Sequence, residues 1–151
     1  TWKGLNLGFL VTARLGGIVL SQTQALLDYY GVSQATADAR EAGGIAVNTG
    51  MVSAESYYSV VGGDNPIWSE YIYSGTNVRL QEAHISYNLP RKWLGGMDLT
   101  VGLTANNLFM IYCKAPFDPE TTGSTGTFYQ GFDYFMQPSL RTLGFNIKLK
   151  F

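Results

Sequence analysis

The chain has 151 residues and a formal charge of −1, and only 14% of its residues are charged, against about 25% in ordinary soluble domains. That near-balance argues against a nucleic-acid partner, because phosphate binding needs a net basic surface. Cys113 is the one cysteine, so neither an internal disulfide nor a CxxC metal site is possible.

Aromatic residues make up 14% of the chain and glycine 18 positions, a composition that fits a helical enzyme poorly. The longest apolar runs, such as Leu108 to Cys113, hold about six residues, well short of the 18 or so of a membrane helix. The chain opens in mid-pattern at Thr1, with no basic stretch leading into an apolar run. It reads as a fragment or a processed piece of something longer.

Along the chain, the first signal is a period-two alternation over about 2–15. Leu5, Leu7, Phe9, Val11 and Ala13 lie on one face, and Asn6, Gly8, Thr12 and Arg14 on the other, with Leu10 as an exception. Such alternation predicts a half-buried strand. About sixty residues then separate it from the next strand. Within them, Ser21-Gln22-Thr23-Gln24 matches a capping box and Gly31 suits a helix C′ position, predicting a helix over Gln22 to Tyr30. Ser33 predicts a second helix over Gln34 to Glu41, ended by Gly43-Gly44.

The second strand is read over 77–89. Ala83, Ile85, Tyr87 and Leu89 share one face, but Val78 and Leu80 have the opposite parity, so the apolar phase switches near Gln81. A bulge does this, as does a strand whose upper half leaves the apolar layer. A short turn over 90–96 leads to the third strand, 97–111, with Leu99, Val101, Leu103 and Ala105 on its apolar face. The next connection, about 112–139, contains a Gly-, Thr- and Pro-rich stretch from Asp118 to Gly131 with no period. The fourth strand, about 140–151, alternates without exception from Thr142 to Phe151.

A strand of 11–13 residues, tilted near 40°, spans roughly 28–33 Å, enough for an apolar membrane band of about 25 Å. Trp2, Tyr87, Trp93 and Phe151 then fall near the short-turn end, and Phe109 and Tyr112 near the long-loop end, giving two aromatic levels. Short turns at one end and long loops at the other is the pattern of outer-membrane barrels. Four strands cannot close a barrel, and open edges are not tolerated in lipid. The chain is therefore expected to be the end of a larger barrel or one protomer of an oligomeric one.

The ordered pieces Val78-Arg79-Leu80-Gln81-Glu82, Tyr87-Asn88-Leu89-Pro90, Asn107-Leu108-Phe109, Phe117-Asp118-Pro119-Glu120 and Pro138 to Phe145 resemble SusC/RagA-type TonB-dependent outer-membrane transporters of Bacteroidetes. Gly16-Gly17, Leu26 to Gly31 and Ala39-Arg40-Glu41 resemble them too. Gln81 stands where the family often has Arg, and Gly44 to Gly75 is least covered. The resemblance implies an all-β fold, a transmembrane antiparallel barrel of 22 strands of which this chain supplies the last four. It also implies a plug domain and TonB box outside this chain, a SusD-like lipoprotein partner, contact with TonB, and glycan or peptide import at the bacterial outer membrane. No cofactor is implied.

Arg14, Glu82, His84 and Asn106 are candidates to face the barrel lumen. His84 is the one histidine, and without a second ligand nearby it is poor metal evidence. Asp118-Pro119-Glu120 reads as a turn. No phosphate loop, nucleophile elbow or zinc-protease motif occurs, so no catalytic residue is assigned. Tyr29, Tyr30, Tyr57, Tyr58, Tyr71, Tyr73 and Tyr129 lie outside the spanning strands and are the candidates for ligand contact, stacking on sugars or anchoring a partner. Thr142, Gly144, Ile147, Leu149 and Phe151 resemble the terminal signal read by the barrel-assembly machinery. Physically, they form an edge strand able to pair with another sheet edge. Two other readings stay open: a barrel piece for adhesion or structure, possibly trimeric, and a soluble β-sandwich binding module.

Overall fold

The computed structural model describes residues 3–48, 50–90, 92, 95–121, 126–127 and 129–150. Trp2, Trp93 and Phe151, three of the expected interfacial aromatics, lie outside the described residues, and with Phe151 the last member of the terminal signal. In chain order the elements are β1 (Leu5–Arg14), β2 (Ile18–Ser21), α1 (Gln22–Tyr29), α2 (Gln34–Glu41), β3 (Ile45–Val47) and β4 (Gly50–Val52). There follow α3 (Ala54–Val61), a 3-10 turn (Trp68–Tyr71), β5 (Ile72–Ser74), β6 (Asn77–Leu89), β7 (Asp98–Cys113), β8 (Phe132–Asp133) and β9 (Thr142–Lys150). They divide into two compact units, one of the long strands and one of the two long connections.

The strand unit is a four-stranded antiparallel sheet in the order β1-β6-β7-β9. Among the described residues it does not close on itself, and β1 and β9 are its edges. Its register aligns the alternating apolar residues into rows across the strands. Leu5, Tyr87, Val101 and Ile147 form one row, Leu7, Ile85, Leu103 and Phe145 the next, and Phe9, Ala83, Ala105 and Leu143 a third. Leu89, Leu99 and Leu149 extend the series toward the short connection. This face is open to the surroundings: Phe9 is 79% exposed, Leu143 83% and Phe145 63%.

The phase switch at Gln81 is a bulge, and it widens across the sheet. One residue step in β1, from Leu10 to Val11, faces two in β6, from Glu82 to Leu80, and three in β7, from Asn106 to Phe109. Gln81 is skipped in both pairings, so Leu80 and Val78 stay on the apolar face with Val11 and Ala13. The alternative, a strand leaving the apolar layer, is thereby excluded. In β7 the extra residues are accommodated by Asn107, whose φ is +50°. Asparagine tolerates this left-handed backbone because its short polar side chain can bond locally, and here its Nδ2 donates to the Leu140 carbonyl at 3.2 Å.

The connection unit is built around a small sheet in which β2 lies between β5 and β8, antiparallel to the first and parallel to the second. The pairing of Leu20 with Phe132 thus ties the first connection to the second. Ser21, Ser33 and Ser53 are the N-caps of α1, α2 and α3, each side chain accepting from a backbone N–H in the first turn. Tyr30 is the C-cap of α1, not its last residue, and Gly31 follows with φ +70°. The helix α3, the β3-β4 hairpin and the 3-10 turn were not expected from the sequence. A small core of Ala25, Val61 and Tyr71, with Tyr57 packed on it, joins α1, α3 and the turn. Ser21 Oγ also donates to Asp133 Oδ2 at 2.7 Å, a buried bond between the two connections.

Candidate functional site

The polar face of the long-strand sheet gathers three of the four expected lumen residues. Glu82 pairs with Asn106, and His84 with Gly8 and Thr104. His84 Nδ1 lies 3.7 Å from Glu82 Oε1. The imidazole covers Gly8, where a Cβ would overlap its ring. Asn146 covers Gly102 in the same way. Asn106 Nδ2 donates to Thr142 Oγ1 at 3.1 Å and Thr100 Oγ1 to Asn88 Oδ1 at 2.7 Å, so the face is a hydrogen-bonded polar wall. Arg14 stands apart at the end of the sheet, opposite Asn77. Arg79 of the same unit is only 4% exposed and donates from Nη1 to Ser139 Oγ at 3.0 Å. Thr142, Gly144, Ile147 and Leu149 all lie in β9, on the sheet edge.

The tyrosines of the connection unit gather around one carboxylate. Asp28, near the end of α1, is 5% exposed and accepts from Gln24 Nε2 at 2.8 Å through Oδ1. It borders a cavity of about 220 Å³ whose lining includes Gln24, Tyr57, Tyr58, Tyr71, Tyr73 and Glu70. It also borders a cavity of about 320 Å³ whose lining includes Tyr29, Tyr30, Tyr58, Glu55 and Arg40. Asp28 and Tyr58 line both. Arg40 donates from Nη1 to the Gly31 carbonyl at 2.9 Å. Tyr129 lines neither cavity and packs on Phe132, ring centroids 6.1 Å apart. Burial first, and then the Asp28 carboxylate, push the phenols of Tyr58, Tyr71 and Tyr73 up from the usual range.

Charge is divided unevenly along the chain. The connection unit carries Asp28, Asp38, Glu41, Glu55, Asp64 and Glu70 in its first segment, Asp118, Glu120 and Asp133 in its second, and one base, Arg40. The strand unit carries all other bases and only two acids, Glu82 and Asp98. The net charge of the whole hides this division, which a segment-by-segment count would have exposed. Gln24 entered the sequence reading only through a capping box and Asp28 only through a family-like stretch, Glu70 not at all, and sequence reasoning missed their place at the cavity. Among the described residues, no group of three or more His, Cys, Asp or Glu is placed to hold a metal ion.

No family model matches the chain. Over 158 aligned residues it is 28% identical to TonB-dependent receptor P3 of Formosa agariphila. The alignment takes in 99% of this chain and 15% of that relative's length. The similarity supports a piece of a TonB-dependent receptor, and with it the outer membrane in general.

Proposed function

We propose that this chain is a stretch of barrel wall, the last four of 22 strands, in a SusC/RagA-type TonB-dependent importer of glycans or oligopeptides. The observation that carries this is the uncovered apolar face of the long-strand sheet, ordered in rows and backed by a hydrogen-bonded polar face. A soluble sandwich needs a second layer over such a face; a barrel strand meets lipid there and solvent or plug on the other side. The two free edges call for further strands, since lipid cannot satisfy unpaired backbone groups.

In this reading 16–76 and 112–139 are extracellular and 90–96 is periplasmic. A SusD-like lipoprotein covers the outer mouth, TonB engages an N-terminal region absent here, and the assembly machinery reads β9. Uptake is driven through TonB, and no residue of this chain performs chemistry. The test is cysteine labelling on whole cells carrying the intact protein with Cys113→Ser. Ser59 and Lys92 are both exposed and serve as sites. A membrane-impermeant thiol reagent should label Ser59→Cys and not Lys92→Cys. The reverse pattern overturns the topology. Uptake that persists without TonB overturns the importer in favour of a structural or adhesive barrel.

A further inference from the structure

We infer that the cavity between Asp28 and Glu70 binds an organic cation, a primary ammonium or guanidinium group carried by the ligand. This rests on the importer reading, in which the connection unit is the ligand-facing surface. The cavity is lined by four tyrosines, two carboxylates, one glutamine and the apolar Ala35 and Val61, with no base among its lining residues. Tyrosine rings present negative faces, and aromatic cages of this kind hold ammonium groups. The four phenol oxygens and the two carboxylates can all accept from a ligand N–H. Asp28 and Glu70 only accept when ionised, and the Gln24 amide already donates to Asp28.

The Tyr71 side chain gives a second, independent indication. Tyr71 is 2% exposed and lines the cavity; its hydroxyl is directed at the Asp28 carboxylate without completing a hydrogen bond of full geometry, and its oxygen accepts from no donor. A buried polar group left so is costly, and a ligand N–H would satisfy its oxygen. A cation brings three to five such donors and no acceptor, which matches this lining better than a neutral sugar hydroxyl does. Arg40, the one base of the unit, lies in the neighbouring cavity and is engaged with Gly31. The acid excess of the unit would also draw cations toward it.

The ammonium can belong to a lysine side chain or to an amino sugar, and the test separates the two. The intact protein in neutral detergent is titrated calorimetrically with a blocked Gly-Lys-Gly peptide, its Nε-acetyl-lysine counterpart, a glucosamine trimer and an N-acetylglucosamine trimer. At least one charged probe should bind roughly tenfold more tightly than its acetylated partner, a difference typical of a desolvated cation on aromatic rings. The tighter charged probe identifies the source. Glu70→Gln should weaken it roughly threefold and Asp28→Asn roughly tenfold or more, by loss of a charge-assisted bond. Equal binding of charged and acetylated forms, or no binding of any probe, overturns the proposal. Should Asp28→Asn fail to fold, the charged-against-acetylated comparison on the unaltered protein still decides. If Ser59→Cys is labelled and uptake depends on TonB while no charged probe is preferred, the cation site fails and the importer stands.

Discussion

Arginine placed along β9 should report depth in the membrane residue by residue. The apolar face comprises six rows, from Leu89-Leu99-Leu149 at the short-connection end to Ala13-Val78-Tyr112 at the other. Successive rows are two residues apart, about 6.8 Å along a strand, or about 5 Å along the membrane normal at a tilt near 40°. Six rows then cover about 26 Å, close to the apolar band of about 25 Å. The centre falls between the rows of Phe145 and Leu143, and Ile147 lies about 8 Å from it. Phe145→Arg should therefore cost about 2–4 kcal/mol, Ile147→Arg less, and Leu149→Arg about 0–1 kcal/mol. Asn146→Arg, on the polar face, should cost little beyond displacing the side chain from over Gly102. The assay is the denaturant midpoint of the intact protein folded into phospholipid vesicles, with the amount assembled in the outer membrane as the cellular readout. Equal costs at 145 and 146, or no trend from 145 through 147 to 149, would refute the lipid-facing assignment.

Asn107→Val should destabilise the sheet by about 1–2 kcal/mol, because a β-branched residue resists the left-handed backbone that the widened bulge requires. Asn107→Gly should cost less, losing only the bond to the Leu140 carbonyl; equal losses in thermal unfolding would show that the backbone is not the cause. Ser21→Ala removes the cap of α1 and strands the buried Asp133 carboxylate, a combined loss of about 2–4 kcal/mol that limited proteolysis of the connections should detect. Because the phenols of Tyr58, Tyr71 and Tyr73 are pushed up in the folded unit, the unfolded chain loses protons first. Stability of the unit is full below about pH 10 and falls as pH rises above it. Tyr71→Phe should flatten that fall, seen by ultraviolet titration of phenolate; an unchanged slope would remove Tyr71 as its source.

The long strands were legible because their apolar residues share one face, and period-two alternation records that directly. Gln81 shows where that signal stops. A parity switch is visible in the sequence, but only the pairing of Leu80 with both Val11 and Phe109 distinguishes a bulge from a strand leaving its layer. The helices α1 and α2 announced themselves through Ser21 and Ser33 with their following glycines. The third did not, since Ser53 is followed by Ser56, not by Glu or Gln, and Gly62 closes α3 without a left-handed turn. The pairing of Leu20 with Phe132, more than a hundred positions away, leaves no local trace. The same holds for Asp28, whose cavity draws on residues from α1, α3 and the segment that follows.

The pairing of β2 with β5 places Ile18 opposite Ser74, and just outside it the Gly75 N–H donates to the Gly17 carbonyl at 2.9 Å. The first connection therefore leaves and re-enters through a clasped neck. Holding the ends together fixes the entropic cost of closing the excursion, and that cost grows only slowly with length. Whatever lies beyond Ser21 and before Ile72 can consequently lengthen, shorten or be exchanged without shifting the pairing of β1 with β6. The neck thereby separates the length of the excursion from the register of the strands that flank it.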